Sequence, residues 1–382
     1  MTTGLTSVIE VRASDTYASA NATFTNGFTN NGAIELTSPG ASGFSSQLTV
    51  TTGTLVNAAT GTITAVSGAG GGRTLAAQLD NQGTVAVPYA LTLTRANSAH
   101  VNSGSITVTG APFTVTQSGT PASFTNTSTG TIAVSAGRTF AVTGGTLDLS
   151  AGLVSGTTGT LQTSGVTAFL FSTGTVRPQL TLNATTVPGT FTVPALDSLV
   201  LVGGSPTMTL VNNGRLVLLG ATTVNGPVTT GTTAVIEARA SDTYANANAT
   251  FTNGFTNNGA IELTSPGAVG YSSQLTVTTG TLVNAATGTI TAVPGAGGGR
   301  TLAASLLDNF GTLSANFGLT ANTAIDQRGI ATVAAARTLT VSGLLRLFTG
   351  STTTVNGTLT RTGGCTNAGG TIVGSGTYAA CP

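Results

Sequence analysis

One phrase recurs through this chain: a short strand rich in β-branched residues or leucine, an asparagine, one to three small residues, a glycine, and a second strand. It reads FTNNGAIEL to Leu36, LVNAATGTITA to Ala65, LDNQGTVAV to Val87, VNSGSITV to Val108, FTNTSTGTIAV to Val134, LVNNGRLVL to Leu218, LDNFGTLSA to Ala315 and TNAGGTIV to Val373. Successive copies, marked by Ile34, Ile63, Val85, Ile106 and Ile132, lie about 20 to 30 residues apart, the spacing of solenoid coils. So short a unit buries its apolar face only against its neighbours, so one phrase reads as one turn of a superhelix.

The strands alternate with period two, as in Leu48-Thr49-Val50-Thr51, Leu91-Thr92-Leu93-Thr94 and Phe113-Thr114-Val115-Thr116. Aliphatic side chains therefore share one face and threonines the other. Threonine suits the wet face because its branched Cβ favours extended backbone. Asparagine and glycine at the corners are expected to take positive φ, which most side chains avoid. Helical periodicity is absent. A β-sandwich also has short alternating strands, but the corner keeps one relation to its strand and the pattern runs without a break. The expected fold is all-β: one continuous parallel β-solenoid over residues 1–382, with a narrow, dry axial core.

A longer repeat overlies the short one. Residues 8–78 recur as residues 235–305, beginning VIEVRASDTY and VIEARASDTY, with only six positions changed. Near-verbatim copying of a unit of this size points to a tandem array, in which length is the property gained.

Composition limits the function classes. Charged residues make up 6%, against about 25% in an average domain, and every basic residue is arginine. The surface must then be built of hydroxyls and amides, while 40% hydrophobic residues argue against disorder. A net charge of +1 offers no electrostatic footprint for nucleic acid or an anionic membrane. No apolar run approaches the roughly 20 residues of a membrane span, and Met1-Thr2-Thr3-Gly4 is not a signal sequence. Export is thus expected to depend on segments outside this sequence, or the chain is part of a longer precursor. Cys365 and Cys381 have only each other as partners; a disulfide there would contribute on the order of 3 kcal/mol and imply an oxidising compartment, the alternative being two free thiols. A zinc site needs four ligands, and the lone His100 is far away in sequence.

The Asn-x-Gly-Thr-Ile-x-Val corners and threonine-rich strands resemble secreted bacterial adhesins of the filamentous-haemagglutinin and autotransporter-passenger type, over essentially the whole chain. That resemblance implies a right-handed parallel β-helix, export through an outer membrane, and an adhesive or stalk role at the bacterial surface. The chain departs from the family in lacking a recognisable secretion domain, C-terminal barrel or signal peptide.

Candidate sites are few. Arg12, Asp15 and Tyr17 in RASDTY, repeated as Arg239, Asp242 and Tyr244, form the densest polar cluster. It reads either as a binding patch, bivalent because it occurs twice, or as an Arg–Asp pair tying down a protruding loop. The acids Glu10, Asp15, Glu35, Asp80, Asp148 and Asp197, their counterparts in the second long copy, and Asp326 near the end lie a coil or more apart in sequence and read as solvated or ion-paired corner residues rather than the clustered carboxylates of a glycosidase. GAGGGR, ending at Arg73 and again at Arg300, lacks the Lys-Ser/Thr and helix of a phosphate-binding loop and reads as a turn. With one histidine and no tandem calcium motif, no catalytic residue, cofactor or metal ligand is expected. The leading expectation is a non-catalytic, extracellular structural or adhesive segment, its partners a surface glycan or protein, or further copies of itself in a fibre, without nucleic acid or membrane insertion. The alternatives are an ice-binding solenoid using outward threonine rows and, behind it, a carbohydrate-active β-helix enzyme.

Overall fold

The computed structural model describes residues 1–156, 158–171 and 178–382. It divides into two compact units, Met1–Val187 and Pro188–Pro382. Each is a parallel β-solenoid, and no helix occurs among the described residues. In the first unit, one wall is a sheet of seven strands, one per coil: Val8–Arg12, Ala33–Thr37, Thr62–Ala65, Thr84–Val87, Ser105–Val108, Thr131–Val134 and Leu153–Ser155.

Stacking is in register, so like residues pile on like. Ile9, Ile34, Ile63, Val85, Ile106, Ile132 and Val154 form one apolar column. A second wall stacks Leu48, Leu75, Leu93, Val115 and Val142. The second unit repeats the scheme, with Ile236, Ile261, Ile290 and Leu313 in one column and Phe255, Leu282, Leu307, Ile325 and Leu345 in another. Nearly all of these residues are fully buried. At roughly 25 cal/mol per Å² of apolar surface removed from water, such columns supply the main driving force for stacking. Parallel pairing ties the strands of an inner coil to those above and below, as Ser105–Val108 pairs with Thr84–Val87 on one side and Thr131–Val134 on the other.

The corner asparagines depart from expectation. None adopts positive φ; among asparagines only Asn97, outside the repeated corner, does so (φ 55°). Instead they point inward and form a column of their own. The amide nitrogen of Asn30 donates to Asn57 Oδ1 at 2.9 Å, Asn57 to Asn81 at 2.7 Å, Asn81 to Asn102 at 2.6 Å and Asn102 to Asn126 at 2.7 Å. Each also donates to nearby carbonyls, as Asn57 does to Gly61 O and Thr84 O. In the second unit the column runs Asn257, Asn284, Asn309 and Gln327. Every asparagine in it has 0% exposure, and inside each run the amide nitrogen of one coil satisfies the side-chain oxygen of the next, as burial of amides demands; at the ends of the second run Asn257 Oδ1 and Gln327 Nε2 are left without a partner. The corner glycines likewise serve close approach rather than φ: a Cβ on Gly83 would lie 2.2 Å from Gly61 O.

Candidate functional site

In the RASDTY turn, the backbone folds back on itself through an antiparallel bridge between Ser14 and Ala18, and Ser14 Oγ accepts from the Tyr17 amide. The expected Arg12–Asp15 pair does not form. Arg12 sits 3.6 Å from Glu10, an exposed contact, whereas the Asp15 carboxylate accepts the amides of Ala41 and Ser42 in the next coil at 3.0 and 2.9 Å. Arg12 lies on a strand and Asp15 in the turn that leaves it, so the carboxylate is nearer to the adjacent loop than to its own arginine. The Ser42 and Ala41 amides hold the Asp15 carboxyl below its ordinary range. In the second copy Arg239 pairs with Glu237, and Asp242 accepts from Ala268 and Val269 at 3.1 Å each. The turn is thus held by its aspartate in both copies. Tyr17 projects from it, 84% exposed, while Tyr244 is half-buried.

Carboxylates one coil apart in sequence are neighbours in space, contrary to their reading as separated residues. Glu10 stacks on Glu35, Glu237 on Glu262, and Asp308 on Asp326. They also sit on strands rather than corners. In the second unit these stacks are clamped by arginine. Arg215 Nη2 reaches Glu237 at 2.6 Å and Glu262 at 2.8 Å; Arg239 Nε lies 2.7 Å from Glu237, which also accepts from Thr264 Oγ1 at 2.7 Å. Burial alone would raise the Glu237 pKa, but donation from Arg239, Thr264 and Arg215 outweighs it and holds the carboxyl below its ordinary value. Further along, Arg328 bridges Asp308 at 2.8 Å and Asp326 at 3.5 Å while its guanidinium lies 3.7 Å over Phe348, and Arg346 bonds Asp326.

The glycine-rich stretches end in arginines that are not turn residues at all. Arg73 and Arg300 are each 1% exposed. Arg73 donates to Val66 O at 2.8 Å, to Ser38 O at 3.3 Å and to Gly71 O, and its guanidinium stacks 3.9 Å over Tyr89. Arg300 repeats this with Val293 O at 3.0 Å, Leu263 O at 3.1 Å, Gly298 O and the Phe317 ring at 4.4 Å. Each loop is wrapped around its arginine, which closes the corner by satisfying carbonyls that would otherwise be buried without donors. Desolvation lowers both pKa values, yet an arginine remains charged.

His100 occupies the column of Phe124 and Leu147, 1% exposed. Its Nδ1 accepts from the Leu79 amide at 3.2 Å, and burial pushes its pKa down to about 4. Cys365 and Cys381 are bonded to each other with Cα atoms 5.4 Å apart, at the last coil. All of these inward groups share one signal. Asn57 lies two residues after buried Leu55, Arg73 two before Leu75, and His100 two before Asn102, so strand parity alone points each of them inward.

No protein-family model, curated protein or solved structure matches the chain.

Proposed function

We propose that this protein is a non-catalytic structural segment of a bacterial cell surface, a stalk or fibre element with adhesive turns displayed along it. The observation that carries this reading is how the polar groups are employed. Buried asparagines and arginines, and the carboxylates of the second unit, are engaged in tying one coil to the next, so added coils add length at about 4.8 Å each without any site to be rebuilt. What projects from this framework is the turn at Tyr17, pinned by Asp15 and present in a second copy at Tyr244. Two copies of the turn, the second with its tyrosine half-buried, give avidity toward a repeating glycan or protein partner without a strong individual site. Cys365–Cys381 fits an oxidising, extracellular setting.

Binding of the full chain to immobilised surface polysaccharide or extracellular-matrix protein tests the adhesive part. Tyr17→Ala together with Tyr244→Ala should weaken retention at least tenfold while leaving the fold intact. Equal retention would remove the turns from the proposal.

A second reading, ice binding, draws on one wall of the second unit. Thr289, Thr312, Ile330, Thr352 and Thr371 stack in one outward row, and Thr291, Ser314, Thr332, Thr354 and Val373 in the row beside it. Ile330 and Val373 interrupt the hydroxyl lattice, which is why the structural reading is preferred. Thermal hysteresis at micromolar protein, lost on Thr312→Lys, would reverse that preference. For a carbohydrate-active enzyme the pair to examine is Glu237 and Glu262, but both clamp Arg215, and a carboxyl held ionised by three donors is a poor general acid. Polysaccharide turnover abolished by Glu237→Gln would be the decisive sign of such chemistry.

A further inference from the structure

Where the long duplication ends, the surface of the two copies parts company. Both continue into the same corner, Leu79-Asp80-Asn81-Gln82-Gly83 in the first and Leu307-Asp308-Asn309-Phe310-Gly311 in the second. In the first, Asp80 accepts from Gln82 Nε2 at 2.9 Å, and the next coil sets Val101 beside the acid and Ser103 at the corner. In the second, the next two coils supply Asp326 with Arg328, then Arg346 with Phe348. Strand parity turns these side chains outward in two short columns, Asp308, Asp326 and Arg346 in one and Phe310, Arg328 and Phe348 in the other.

The columns leave a ring and several polar atoms facing solvent. Phe310 is 45% exposed. Arg328 Nε donates to Asp308 Oδ1 at 2.8 Å, and its guanidinium lies 3.7 Å from the centre of the Phe348 ring and 5.4 Å from that of Phe310. Arg346 gives only its Nε to Asp326. Asp308 Oδ2 and both Nη groups of Arg346 bond no other described residue, and the two side chains are 22% and 37% exposed. Two arginines offset two carboxylates, so an ion of either sign would meet repulsion from half of the patch. A neutral, polyhydroxylated ligand meets complements only. One hydroxyl donates to Asp308 Oδ2, its vicinal neighbour accepts from Arg346, and the slightly positive C–H face of a sugar ring rests on the negative face of Phe310.

We propose that this surface of the second unit binds a neutral polysaccharide, laid along the stacking direction. Phe310 and Phe348 stand two coils apart, about 10 Å along the stack, which suits an extended chain of several sugars rather than a single one. Phe348 orients Arg328 by stacking, and Arg328 in turn holds Asp308. The first copy has Gln82, Val101 and Ser103 in the matching places and lacks the surface. The turns at Tyr17 and Tyr244 take no part in it.

Calorimetric titration of the full chain with β-linked tetrasaccharides of glucose, mannose, xylose and N-acetylglucosamine tests this, with tetragalacturonate as the anionic control. At least one neutral tetrasaccharide should bind one-to-one, at least tenfold more tightly than its disaccharide and than tetragalacturonate. Phe310→Gln installs the residue that the first copy already carries at this corner; it should weaken binding at least tenfold with thermal unfolding unchanged. Arg346→Lys, which keeps the charge beside Asp326 and loses the Nη fork, should weaken it to a similar degree. Gln82→Phe should create no second site, because no arginine follows it in the next coil. Absence of binding by all four neutral sugars overturns the proposal. So does a preference for tetragalacturonate, or binding that survives Phe310→Gln. Retention on immobilised collagen that is lost with Phe310→Gln, in a chain that binds none of the sugars, would assign the surface to a protein partner and overturn it too.

Discussion

At the scale of single residues, the protein depends on a small set of buried polar side chains whose bonds run along the stacking direction. Asn81 illustrates the stakes. It accepts from Asn57 at 2.7 Å and donates to Asn102 Oδ1 at 2.6 Å and to Ser105 O at 3.2 Å, so replacing it with leucine takes a donor from two acceptors in a dry core and an acceptor from Asn57. Asn81→Leu should destabilise the first unit by about 3 kcal/mol, since each orphaned buried group costs about 1–3 kcal/mol; denaturant unfolding followed by amide exchange in that unit measures it. Arg73→Met should be at least as damaging, because Val66 O, Ser38 O and Gly71 O lose a common donor. His100 adds a pH dependence with a definite sign. Its folded pKa of about 4 lies below the ordinary 6.5, so the unfolded chain binds the proton more readily between those values. Its contribution is complete above pH 6.5 and is lost as pH falls toward 4, by up to about 3 kcal/mol at 1.36 kcal/mol per pKa unit. His100→Phe, matching Phe124 in the next coil, should flatten the stability profile over that window.

At the scale of the element, the coil is the unit of design, and identical coils behave differently according to what lies on them. The strand Ala247–Asn257 has the same sequence as Ala20–Asn30, yet its first three inward residues are sealed while their equivalents are not. Arg215→Met should therefore loosen Val235–Arg239 and Ala260–Thr264, visible as faster amide exchange, and leave Val8–Arg12 unaffected. The last coil carries fewer apolar residues, and its strands Cys365–Ala368 and Thr371–Val373 are largely exposed. There the disulfide takes the place of a core. Reduction should speed exchange in residues 365–382 alone; cooperative loss of structure farther along the second unit would contradict this account.

At the scale of the whole molecule, stacking makes stability a sum of coil and interface contributions, and the proposed stalk role makes shape the property to observe. Electron microscopy of the full chain should show elongated particles with a cross-strand repeat near 4.8 Å; compact globules would refute the stalk. Charged residues are scarce; among the described residues of the first unit the exposed Arg12 and Glu10 form an ion pair, while the second unit carries two arginine-clamped clusters. Raising salt should thus lower the stability of the second unit more than that of the first, because screening acts on partly exposed pairs.

The sequence by itself determined the coil, its length and its parallel stacking, because period-two alternation needs one face buried, and an Asn–Gly phrase kept in one relation to its strand without a break fits stacked coils better than a sandwich. It also held the inward direction of Asn57, Arg73 and His100, legible from parity once the strand is placed, although asparagine and glycine at a corner first suggest positive φ. Only the tertiary structure decided which residues meet across coils. Glu237 and Glu262 are 25 residues apart in the chain and adjacent in the stack, and Asp15 bonds the next loop rather than its own arginine. Coil-to-coil register depends on the exact length of each intervening loop, and that length acquires meaning only when the coils are laid on one another.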